Sequence, residues 1–182
     1  MSDYSQSVVF PSVGEEEAER LSNDLLAWLV SQNVLTSAPS DCVLGSSLGY
    51  RPGSNYVVAT GEPDEVLLQL WTNGAEFSNK RTVFDAGGNG FSLACRSCGV
   101  AFGNLPRWGD AVNEWLSSAG EGHLTCPACA AARPVEEWLY DPPYGFASLG
   151  ITFWNWPSLN EGFVQELSAR VGHLAYVIHA RV

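Results

Sequence analysis

Cys95-Arg96-Ser97-Cys98 and, after 27 intervening residues, Cys126-Pro127-Ala128-Cys129 are the stretches whose reading decides the fold. The thiolates of a Cys-x-x-Cys turn lie close enough to share one ion, and two such turns complete the four-sulfur shell of a structural zinc site. A structural Zn2+ on Cys95, Cys98, Cys126 and Cys129 is therefore expected. Gly99 follows the first pair, where a knuckle turn needs a positive φ, and Ala130 follows the second. Read alone, the second pair also looks like a thioredoxin-type redox motif. A second Cys-x-x-Cys and the lack of a flanking βαβ pattern argue against that. An iron–sulfur cluster can use the same four thiolates, so the spacing leaves the identity of the metal open. Four cysteines leave no coordination position for water, which makes the expected role structural and not catalytic.

Working outward, residues 91–94 read as a strand running into Cys95, and residues 110–117 as a short helix with Trp115 and Leu116 turned inward. The metal module is thus expected at about residues 91–140. On its C-terminal side, residues 151–156 are rich in β-branched and aromatic side chains and predict a strand. Asn160 can cap a helix over 161–170 that Gly172 ends, and residues 174–180 alternate as a last strand. On the N-terminal side, Ser12 followed by Glu15 reads as a capping box. It opens a helix to about residue 32 with Ala18, Leu21, Leu25, Trp28 and Leu29 on one face, and Asn33 as its stop. Residues 56–59 and 66–71 predict a hairpin whose loop presents Glu62, Asp64 and Glu65 to solvent, and residues 81–84 a short strand. Together these predict one α+β domain over residues 1–182, mostly antiparallel sheet with an N-terminal and a C-terminal helix and an inserted zinc-ribbon-like module.

A hydrophobic content of 46% in 182 residues is enough to build a core and excludes a disordered chain. No stretch approaches the roughly 20 apolar residues of a membrane span, and the first residues lack an export signal. A cytoplasmic protein with no membrane partner is expected. Twenty acidic residues against nine basic ones give a formal net charge of −11. Such a field repels nucleic acid and attracts cationic proteins.

No nucleophile elbow, phosphate loop or dinucleotide fingerprint appears, and Gly87-Gly88-Asn89-Gly90 lacks the Lys and helix start of a phosphate site, so it reads as a turn. Glu136 and Glu137, adjacent in sequence, read as part of a solvated face. Cys42 reads as an inert buried thiol, His123 as a loop residue, and His173 and His179 as surface residues of the last strand. The expectation is therefore a non-enzymatic protein with no small-molecule substrate. Tyr and Trp beside carboxylates compose interface hot spots, which singles out Asp141, Tyr144, Trp154 and Trp156, together with Glu62, Asp64 and Glu65, as partner-binding candidates.

The tail Phe153-Trp154-Asn155-Trp156-Pro157-Ser158-Leu159, with Phe163, Leu167 and Gly172 behind it, resembles the closing segment of small acidic bacterial immunity proteins. Those proteins are encoded beside polymorphic toxins such as the Rhs and type VI secretion effectors. The resemblance implies a protein that neutralises a cognate basic toxin domain by occluding its active site. The alternative is a zinc-ribbon accessory or regulatory protein of nucleic-acid machinery. It is opposed by the few basic residues of the module, Arg96, Arg107 and Arg133, which face Asp110, Glu114 and Glu121.

Overall fold

The computed structural model describes residues 2–45, 47–88 and 90–182, so Asn89 of the glycine-rich run lies outside the described residues. The chain enters on a strand, β1 (Tyr4–Val9), and then forms helix α1 (Glu15–Ser31). Strands β2 (Leu35–Ser40) and β3 (Gly49–Pro52) follow, then two short helices, α2 (Val57–Thr60) and α3 (Glu65–Gln69). Strands β4 (Ala75–Ser78), β5 (Thr82–Phe84), β6 (Ser92–Ala94) and β7 (Ala101–Phe102) lead to helix α4 (Trp108–Leu116). After β8 (His123–Thr125) and β9 (Ala132–Pro134), a 3-10 turn (Val135–Glu137) leads to β10 (Leu139–Asp141) and β11 (Gly145–Ala147). The chain closes with β12 (Gly150–Trp154), helix α5 (Glu161–Val171) and β13 (Tyr176–Arg181).

The fold is α+β with antiparallel strand pairing and five α-helices among the described residues. Neither α1 nor α5 is terminal, because β1 precedes the first and β13 follows the second. The main sheet runs β13-β1-β12-β4-β3-β2, so the two ends of the chain pair side by side near one edge. Val8, Ile151 and Phe153 of this sheet share one core with Leu21, Leu25 and Leu29 of α1 and Phe163 and Leu167 of α5. On the opposite face, Val9 and Ile178 meet Phe84 and Ala147 of the β5–β11 pair. Gly150 makes this possible, since a Cβ there would collide with the Phe84 ring. No helix among the described residues is long and apolar enough to cross a membrane.

Several local expectations are corrected. The helix start is not a Ser12 capping box: Gly14 is the N-cap, its carbonyl accepting from the N–H groups of Glu17 and Ala18, and no side chain caps it. At the other end Asn33 adopts φ 55°, the left-handed stop expected of it. The hairpin over 56–71 is replaced by α2 and α3. Gly61, at φ 84°, ends the first, and the Asp64 carboxylate caps the second by accepting from Val66 N–H at 2.8 Å and Leu67 N–H at 3.3 Å. The Tyr56 hydroxyl bonds the backbone of Asp64 on both its N–H and its carbonyl, holding the turn between the helices. In α4, Ala111, Val112 and Trp115 face inward, whereas Leu116 is 40% exposed, one residue past the buried stripe. His173 lies on the bend before β13 and only His179 lies on that strand.

Because Asp64 is a helix cap, Asp64→Ala is expected to lower stability by about 0.5–2 kcal/mol, as for other N-cap losses. Glu62→Ala, at an exposed position outside any helix, should leave the denaturant midpoint unchanged. Equal midpoints for the two variants would refute the capping role.

Candidate metal centre

Each Cys-x-x-Cys pair follows the first strand of an antiparallel hairpin. β6 pairs with β7 through Leu93↔Phe102 and Ala94↔Ala101, and β8 pairs with β9 through Thr125↔Ala132. The two turns have the same internal wiring. Cys95 N–H donates to Val100 O at 3.0 Å and Gly99 N–H to Cys95 O at 2.8 Å; Cys126 N–H donates to Ala131 O and Ala130 N–H to Cys126 O, both at 2.9 Å. Gly99 sits at φ 73° and Ala130 at φ 60°, so the second knuckle holds a side-chain-bearing residue in the left-handed region. That conformation costs an alanine about 1–2 kcal/mol, which the rest of the turn must offset.

The four Sγ atoms lie within 4.8 Å of one another, with Cys95–Cys129 at 3.8 Å and Cys98–Cys126 at 3.7 Å. All four are free thiols, and a group so arranged can hold a metal ion. The first cysteine of each pair is buried in the module core and the second is exposed. The thiols are electrostatically unequal. Cys95 is lowered to about 6, chiefly by hydrogen bonding from the Cys98 backbone. Cys129 receives a lowering hydrogen bond from the Ala131 backbone, yet burial and the three neighbouring sulfurs push it up to about 12. Four sulfurs this close do not all ionise without a cation among them.

Around the sulfurs, Arg133 donates to Ser97 Oγ at 3.0 Å and pairs with Glu137 at 2.9 Å, while Arg96 Nε donates to Glu137 O at 2.6 Å. These contacts tie the first knuckle to the turn after β9. Beneath them lies a second core of Leu93, Leu105, Val112, Trp115, Leu124 and Trp138. His123 is not in the sulfur group, and it opens strand β8 where a loop was expected; its Nε2 lies 3.5 Å from Glu121. Cys42 is buried at the β2 end of the main sheet, its sulfur filling the space left open by Gly74.

The partner-binding candidates do not gather on one surface. Glu62 and Glu65 are exposed around α2 and α3, and Asp64 is occupied as a cap. Trp154 is half-buried with its Nε1 3.4 Å from Glu76, in a different cleft from Tyr144. Asp141 is exposed at the end of β10. Trp156 is 1% exposed and belongs to the main core. Tyr144 stacks on Tyr140 at 4.9 Å and meets Phe91 at 5.0 Å. Burial pushes the Tyr140 hydroxyl up to about 12; it donates to Val135 O at 2.8 Å.

Sequence reasoning misses Glu136, which is more than part of a solvated face. Its carboxylate accepts from Trp115 Nε1 at 2.8 Å and lines two adjoining clefts between the module and the sheet. Its neighbour Tyr176 has its hydroxyl pushed up by burial and by the charge of Glu136. No protein-family model, curated protein or solved structure matches the chain.

Proposed function

We propose that the four cysteines hold one structural zinc ion and that the protein is a non-enzymatic, acidic inhibitor of a cationic protein. In the most specific form of this reading it is a cytoplasmic immunity protein that occludes the active site of a cognate bacterial toxin domain. For the metal, the support is the sulfur spacing: tetrahedral ligands at about 2.3 Å from zinc stand about 3.8 Å apart, the separation of Cys95 and Cys129. An iron–sulfur cluster would spread the same thiolates more widely around several atoms.

For the partner, the carrying observation is charge. The formal net charge is −11, and two of the module's three arginines, Arg96 and Arg133, bind acceptors of the module itself. Arg133 pairs with Glu137 and Arg96 is bound to the Glu137 carbonyl, while exposed Arg107 has Asp110 3.9 Å away to offset its charge. This disfavours the zinc-ribbon accessory reading, which needs those side chains free for phosphates. The test is an affinity pull-down from the native host, with the recovered partner then titrated at rising ionic strength. A stoichiometric cationic toxin domain whose association slows as salt rises is the expected result. Recovery of nucleic acid, polymerase or ribosomal proteins would overturn the reading.

A further inference from the structure

The two edges of the main sheet are built differently. β2, at one end, contains Pro39 and a register shift between Leu35 and Pro39, both of which discourage further strand pairing. β13, at the other end, has neither. Its backbone directions follow from two hydrogen bonds: Val182 N–H donates toward β1, to Asp3 O at 2.8 Å, and Arg181 N–H donates outward, to Ala86 O at 3.4 Å. In an antiparallel strand both polar groups of a residue point the same way and alternate along the chain. Val177 and His179 therefore aim their N–H and C=O groups away from β1. Among the described residues no strand lies there, and the edge is bridged only at Arg181, by Gly87.

Tyr176, the first residue of β13, also lines a groove of about 390 Å³ together with Tyr144, Phe146, Arg96, Glu136 and Glu137. Through Pro11, Phe146 and Glu136 it adjoins a second cleft of about 310 Å³ that adds Glu15, Glu16, Glu121 and Arg81. Five carboxylates thus face two guanidinium groups, an excess of three negative charges. Both guanidiniums are engaged: Arg81 binds Glu15 at 2.7 Å, and Arg96 binds the Glu137 carbonyl. Arg81 also lies over the Trp115 ring at 5.2 Å, so this chain already seats one arginine between an aromatic ring and a glutamate. Tyr144, Tyr176 and Glu136 offer the same elements in a groove whose own arginine, Arg96, is held by its Nε on the Glu137 carbonyl, and the Trp115 N–H fixes the Glu136 carboxylate.

We propose that β13 accepts an extended segment of a cationic protein as a seventh strand, with an arginine of that segment seated among Tyr144, Tyr176 and Glu136. Backbone hydrogen bonds to Val177 and His179 supply the register, and the planar guanidinium stacks on tyrosine while pairing with the carboxylate. A second copy of this chain is disfavoured as occupant, because each carries the same charge of −11. The proposal rests on the reading that the partner is a cationic protein and names the surface it uses.

The test uses the full zinc-loaded chain and an acetylated hexapeptide alternating valine and arginine. Two analogues accompany it, one N-methylated at the amides that would face β13 and one with glutamate for arginine. In the free protein the Val177 and His179 amides should exchange rapidly with solvent, and the arginine peptide should slow them by about tenfold or more. N-methylation or glutamate should weaken binding by about tenfold or more, one backbone interaction or charge pair being of that order. His179→Pro places proline where its missing N–H faces the open edge, a position a sheet tolerates, and should abolish binding while β1 keeps its amide protection. Glu136→Gln should weaken arginine binding with β13 intact. Slow exchange of both amides in the free protein, a dimer formed through β13, or equal binding of the N-methylated peptide would each overturn the proposal. These peptides need no cognate partner, so failure here is distinct from failure of the pull-down.

Discussion

With zinc bound to the four cysteines as proposed, chelation is expected to unfold residues 91–140 while the main sheet keeps its structure. The module's buried core holds eleven of the described residues, two of them Cys95 and Cys126, and its strands are two or three residues long. Strands of that length have little independent stability. Structural zinc contributes an apparent 10–16 kcal/mol or so in small zinc modules, so the proposed ion would supply most of the order expected of this one. The main core is a separate cluster of twenty buried residues, most of them drawn from the sheet, α1 and α5. Chelation verified by metal analysis should therefore abolish amide protection in β6 to β10 and α4, leave it in β1 and β12, and split thermal unfolding into two transitions. Cys98→Ser should act in the same direction as chelation. Cys98 is exposed, so replacing its sulfur removes a ligand without opening a core cavity. Unchanged amide protection and a single unchanged transition after complete chelation would show that the module holds itself together.

The same contrast explains what the sequence reveals and what it hides. The clustering of the four cysteines is legible because two Cys-x-x-Cys turns have the spacing that coordination chemistry dictates, and their sulfurs do lie within 4.8 Å of one another. α5 is legible because both ends are marked, by Asn160, whose Oδ1 accepts from Phe163 N–H at 2.7 Å, and by Gly172 at φ 78°. β1 is hidden because its buried positions are partly polar. Ser5, Gln6 and Ser7 are all buried, and alternation of apolar residues cannot find them. Their partners are distant in sequence: Ser7 bonds Thr152 at 2.8 Å, and Gln6 donates to the carbonyls of Trp156 and Pro157 while accepting from Leu159 N–H. The 56–71 segment misleads for another reason. Its Val-Val and Val-Leu-Leu runs look like strands, but helices of four and five residues are too short to show a period, and local capping decides them. Composition likewise identifies interface-type residues without saying which face they occupy. Hence Trp154 and Trp156, two residues apart, have unlike surroundings.

That difference sets the second large effect. Trp156→Ala is expected to cost about 3–5 kcal/mol, the range for deleting a large buried aromatic, whereas Trp154→Ala should cost about 1 kcal/mol at a half-exposed site. The Trp156 ring meets Phe153 at 5.1 Å and Tyr56 at 6.0 Å, both edge-on, at the junction of β12, α2 and the approach to α5. Its Nε1 donates to Asn73 O at 2.7 Å, and Asn73 in turn donates to Leu67 O and accepts from Arg51. The indole thus joins the sheet to the turn after α3. Trp156→Phe retains most of the apolar contact but orphans the Asn73 carbonyl, which should cost about 1–3 kcal/mol and keep the protein folded for measurement. Denaturant midpoints for the three variants, read with a constant slope, decide the matter. The order Trp156→Ala, Trp156→Phe, Trp154→Ala from most to least destabilised places Trp156 in the core. Equal stability of all three with loss of partner binding would place it on the interface instead. The Nε1 bond to Asn73, lost in both Trp156 variants, gives a physical reason for the first outcome, while the Trp156 carbonyl that accepts from buried Gln6 is backbone and remains in all three.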